Sequence, residues 1–233
     1  MTARWLPPAV LLAAVLGLGW RAPGILYAAA EAKPVQDELV AAARRPRDWS
    51  AERLRVLVAD AAAVRDRDPA DGQWQELHGR AALFAASHPR MPAAESAALT
   101  EAAIASFRNA VQRRPDWPYG HDGLMLAKSA AGQFDDEWRA AIAAALRLGP
   151  NESRIREDLA MVRLLHGPEL AEPLKTELQT LLPRLLRVNG SRWVDIADRH
   201  DEADWLCATP GLLAEVRRRC MTLGWLSSEP APR

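Results

Sequence analysis

From Ser50 to Pro168 apolar residues return every three or four positions, and each run of them is closed by proline or glycine. That rhythm fits the 3.6-residue turn of an α-helix and not the two-residue alternation of a strand. Ser50 is placed to cap a first helix, with Glu52 in the turn where the helix dipole favours an acid, and Leu54, Leu57, Val58 and Ala61 as its stripe. Asp71 caps the next, striped by Trp74, Leu77, Ala81 and Phe84 and stopped at His88-Pro89. Pro92 starts a third, with Leu99, Ala103, Phe107, Ala110 and Val111, closed by Pro115. A fourth runs from about Tyr119 to Ala131 and ends at Gly132. A fifth carries Trp138, Ala141, Ile142, Ala145 and Leu148, and a sixth, capped by Asn151, carries Ile155, Leu159 and Val162. A seventh holds Leu170, Leu174, Leu178, Leu181, Leu182 and Leu185, interrupted by Pro183. Asn189-Gly190 reads as a turn, and Pro210 opens a last helix. With 45 Ala and 31 Leu against three Phe, and no long alternating segment, the expectation is an all-α chain.

The chain of 233 residues has room for one ordinary domain. Its 30 basic and 30 acidic residues balance, which argues against a protein whose main partner is a nucleic-acid backbone.

Residues 1–30 read as a targeting segment. Arg4 lies in the short start, Leu6 to Trp20 is uncharged, and no acid appears before Glu31. Beside the plain alternative of a buried N-terminal core helix, two fates fit: Ala28-Ala29-Ala30 offers a cleavage site after Ala30, or Leu6 to Ala30 stays as a single membrane anchor, with Arg21 snorkelling. Either fate exports the remainder to the periplasm, free or tethered to the inner membrane, with net charge −2, because residues 1–30 hold only Arg4 and Arg21 among charged groups. Residues 31–48 are charged with little apolar periodicity and read as a linker. The expected domains are then a helical body over 49–188 and a helical cap and tail over 189–233.

In an oxidising compartment the close pair Cys207 and Cys220 suggests a disulfide; the alternative is two independent buried thiols. Without a second Cys or His pair they do not read as a zinc site, and no metal is expected. The five histidines are scattered, and no HExxH, GxSxG, P-loop or GxGxxG occurs. Asp135-Asp136-Glu137 suits a helix start, and no carboxylate pair stands at a readable glycosidase spacing. The expectation is therefore a protein that is not an enzyme and holds no cofactor. Trp117-Pro118-Tyr119, in an inter-helix loop with His121 beside it, forms the one candidate contact site. Its rings suit either a sugar or a peptide anchor, or simply plug the joint between helix pairs.

Ala103, Phe107, Ala110 and Pro115 match the second helix of a tetratricopeptide repeat, and Trp74 and Leu77 its first, with a connection longer by about thirteen residues around Ser87–Leu99. The following unit is degraded, since Met125, Lys128 and Glu137 stand where that pattern wants small or aromatic residues. The series 113–121, Lys128 to Gly132, and 143–152 resembles the VpsP family of bacterial exopolysaccharide-biosynthesis proteins, across residues 70–222 and most strongly 103–152. The resemblance implies an N-terminal signal or anchor, a tetratricopeptide-like body, a late Cys pair matched by Cys207 and Cys220, and an accessory role in making or exporting a polysaccharide. The expected partners are proteins of that machine, bound on a concave surface of residues 70–150. Direct glycan binding or processing through Trp117, Tyr119 and His121 is one alternative, and a periplasmic repeat chaperone of cytochrome maturation another.

Overall fold

A computed structural model describes residues 8–181, 185–187, 190–200, 202–208 and 212–226, and only the backbone of residues 8–25 and 205. The described chain is all helical. It divides into two compact units, residues 1–115 and 116–233. The boundary falls inside the stretch 49–188 that was expected to form one body.

The first unit holds α1 (Pro8–Arg44), a 3₁₀ turn (Pro46–Asp48), α2 (Ala51–Arg67), α3 (Gly72–Ala86) and α4 (Ala93–Arg113). Ser50 and Asp71 cap α2 and α3 as expected, accepting from the N–H groups of Arg53 and Gln73. Leu54, Leu57, Ala61 and Val64 of α2 pack with Trp74, Leu77, Ala81 and Ala85 of α3. At the crossing of α3 and α4 a Cβ on Gly79 would come within 3.0 Å of the Phe107 ring, so the missing side chain is what lets the buried ring lie flat against α3. The extra residues between the two helices do not form a long loop. Pro92 starts α4 at once, and the Ala-rich stretch after it adds turns to the helix.

Residues 31–48 are not a linker. They continue α1 to Arg44, and Ala32, Val35, Leu39 and Ala42 are buried in the core of the unit. The charges that hid this lie on the outer face, where Lys33 pairs with Asp37 one turn on and Glu31 accepts both Nε and Nη2 of Arg67 from α2. The proposed targeting segment falls mostly on residues 1–7 and on the side chains of 8–25, outside the described residues. Ala30 lies within the continuous α1. Among the described residues no helix is long and apolar enough to cross a membrane.

The second unit holds α5 (Pro118–Ala130), α6 (Asp136–Leu148), α7 (Ser153–Leu165), a 3₁₀ turn (Gly167–Glu169), α8 (Glu172–Gln179), α9 (Gly190–Arg199), α10 (Ala203–Cys207) and α11 (Ala214–Thr222). Gly132, at φ 67°, closes α5 with paired bonds from Gln133 N–H to Lys128 O and Gly132 N–H to Ser129 O. Asp135 caps α6 through Trp138 N–H, and Trp138 is fully buried, its Nε1 donating to Ser129. The N-cap position of α7 is Glu152 in place of Asn151, without a side-chain cap bond, so that helix starts one residue later than its sequence suggests. Gly190 opens α9 where a turn was expected, while Asn189, Pro183 and Pro210 lie outside the described residues. A Cβ on Gly190 would meet Val216 at 2.2 Å, which sets the close approach of α9 and α11. The Cys207–Cys220 disulfide is formed and ties α10 to α11. Gly224, at φ 83°, ends the last helix, and Trp225 Nε1 donates to Asp198 of α9 at 2.6 Å.

Candidate functional site

Of the three residues only Trp117 lies in the connection between helices; Tyr119 and His121 are helical. Trp117 is the residue before α5, Pro118 is its first residue, and Tyr119 and His121 lie in its first turn. Proline fixes the backbone there at no hydrogen-bonding cost, since the first N–H of a helix has no partner in any case. Trp117 is 39% exposed, and its ring lies 5.5 Å from that of Tyr119 at a tilt of 47°. The Tyr119 hydroxyl donates to Glu152 Oε2 at 2.7 Å, a bond that holds the phenol proton and raises its pKa. The aromatic pair is thereby braced against the residue at the N-cap position of α7.

Two residues along a helix is a rotation of about 200°, so Tyr119 and His121 leave α5 on opposite sides.

A feature with no sequence signal lies beside the pair. Asp122, one turn from Tyr119, is buried, and its carboxyl acts on that of Asp158 of α7. Burial pushes the Asp158 carboxyl above the usual range, against the pull of Arg154 at 3.5 Å and of neighbouring Asp122.

Two other groups have the chemistry of an active site without its access. His78 Nδ1 lies 2.7 Å from Ser106 Oγ and 3.2 Å from Arg65 Nη1. The same Nη1 lies 3.4 Å from Nε2, so the guanidinium sits against the ring and selects neither tautomer. Burial first, and Arg65 second, lower this imidazole to about 4, which keeps it neutral. Lys128 is buried with its ammonium against Asp135 and Glu137. Trp74 and Trp138, read as core residues, are core residues. Among the described residues no group of three or more His, Cys, Asp or Glu could hold a metal ion.

Comparison with protein-family models, with curated proteins and with solved structures finds no match.

Proposed function

We propose that this chain is an exported, non-catalytic accessory protein of bacterial exopolysaccharide assembly or export, acting through contact with a partner protein. The observation that carries the contact reading is Trp117, an indole held at the surface on a proline-fixed helix start with Tyr119 braced beside it. Trp and Tyr on rigid supports are the residues that anchor protein interfaces, because they bury much apolar area and lose little side-chain entropy. The 47° tilt between the rings favours a peptide or protein anchor over a sugar, which stacks best on a flat face. The helix pair α3–α4, with small residues at its crossing, supports a tetratricopeptide-like reading. The Cys207–Cys220 bond supports an oxidising compartment. The polysaccharide assignment rests on the resemblance over residues 70–222.

A photoreactive amino acid in place of Trp117, expressed in the native cell, tests the contact. The expected product is a defined adduct with a protein whose own deletion abolishes polymer, and Tyr119→Ala should weaken it. Absence of an adduct, together with glycan-dependent tryptophan fluorescence in the purified wild type and not in Trp117→Phe, would replace this reading with direct glycan binding.

A further inference from the structure

The turn between α1 and α2 carries Arg44, Arg45 and Arg47 within four residues, all exposed around an open cavity of about 570 Å³ that Pro46 and Asp48 also line. The turn is built from outside. His88 Nε2 donates to Pro46 O at 2.9 Å, while its Nδ1 accepts from Arg90 N–H at 3.2 Å, and Arg90 Nη1 donates to Trp49 O at 3.0 Å. Trp49 itself is buried beneath the guanidinium of Arg53, 3.9 Å from the ring centre.

Cations at a helix C-terminus often serve only the helix dipole, and Arg44 is the last residue of α1. That role would direct the guanidiniums to carbonyls at the helix end. Instead, carbonyls of the turn are taken by His88 and Arg90, and among the described residues none of the three guanidiniums has a hydrogen-bond or ion-pair partner. Three planar forks, each suited to bidentate oxyanion binding, are thus left pointing their donors at solvent from a braced turn. Asp48 is the only acid in the cavity lining, so the local balance stays positive. The charge is compact, spanning one turn, and no stripe of basic residues extends from it along the lining. A polymer carrying one carboxylate per repeat needs a stripe, whereas a group carrying several negative charges on neighbouring oxygens needs a cluster.

We infer that this turn is a binding site for a compact, multiply charged phosphate group, of the phosphomonoester or diphosphate class. It does not depend on the contact reading of Trp117, which lies in the other unit.

Calorimetric titration of the full chain with inorganic pyrophosphate, at low and at physiological salt, tests the inference. The triple variant R44Q/R45Q/R47Q changes only exposed side chains, and R217Q/R218Q removes two exposed arginines elsewhere as the control. The expected result is saturable binding that weakens at least about tenfold in the triple variant and stays unchanged in the control. Sedimentation with phosphatidylcholine vesicles, with and without phosphatidic acid, identifies the source. Arginine-dependent retention only with phosphatidic acid supports a lipid phosphate, and pyrophosphate binding without retention supports a soluble one. Absence of binding to both probes, equal affinity in the triple variant, or tighter binding of an acidic peptide or a uronate oligomer would overturn the inference.

Discussion

The ammonium of Lys128, 1% exposed at the end of α5, lies 2.8 Å from Asp135 Oδ2, while Oδ1 of the same carboxylate caps α6 through Trp138 N–H at 3.0 Å. Glu137 Oε2 completes the site at 2.7 Å. One carboxylate therefore satisfies a buried cation and starts the next helix, and Gly132 supplies the turn that brings them together. Burial lowers the Lys128 pKa, but the bonds to Asp135 and Glu137 outweigh it and the net shift is upward.

The cost of breaking this site depends on which side is removed. Lys128→Met fills the same space without charge and leaves two acids that water can reach, so urea denaturation should show a change within about 1 kcal/mol. Asp135→Ala with Glu137→Ala strands a buried ammonium and removes a cap, and should cost roughly 3 kcal/mol or more. Equal losses in the two variants would mean that packing and not charge governs the site.

His78 makes the fold sensitive to acid. Its folded pKa of about 4 lies below the ordinary 6.5, so the unfolded chain takes up the proton first as pH falls. Stability from this group is complete above 6.5 and is lost between 6.5 and 4, by an amount on the order of 3 kcal/mol. The His78 ring resonances in a proton NMR titration should stay at their neutral positions down to about pH 5; a midpoint near 6.5 would contradict the assignment.

Asp158 acts in the opposite direction. Its folded pKa is raised, so its folded carboxyl keeps a proton that the unfolded chain has released, and stability falls as pH rises above 3.8 towards the folded value. Asp158→Asn should be more stable than wild type at neutral pH, with the gap closing on acidification. Parallel pH profiles for the two proteins would contradict the raised pKa of Asp158.

The Cys207–Cys220 bond closes a short loop between α10 and α11. Replacing both residues by serine should cost roughly 3 kcal/mol, seen as a lower melting temperature that reductant no longer changes. Identical melting of the wild type with and without reductant would show that the bond contributes nothing.

Gly190 and Val216 give a packing test. Gly190→Ala pushes a methyl group onto the buried Val216 and should cost about 1–3 kcal/mol, much of it recovered by adding Val216→Ala. Additive losses in the double variant would place the cause elsewhere.

The local features of this fold were legible in the sequence because they act over a few residues. Ser50 and Asp71 announce their helices, Gly132 its turn, and Phe107 with its flanking alanines the face of α4. Residues 31–44 misled because their inward face is mostly small, Ala32 and Ala42 around Val35 and Leu39, while the outward face carries the charges that dominate a composition count. Lys128 looked like a damaged repeat position because its partners lie across a turn, seven and nine residues on. Asp122 and Asp158 stand on different helices, and no local pattern links them. At the candidate site, Trp117 and Tyr119 were readable as a pair, but their place at a helix start and the brace from Glu152 follow only from the packing of α5.

The most direct test of the account is the amount of secreted polysaccharide made by a strain lacking this chain, complemented with wild type or with Trp117→Ala at equal protein level. The account predicts loss of polymer on deletion, restoration by wild type and failure of Trp117→Ala although that variant folds. Unchanged polymer in the deletion strain, under conditions where the parent makes it, would contradict the account.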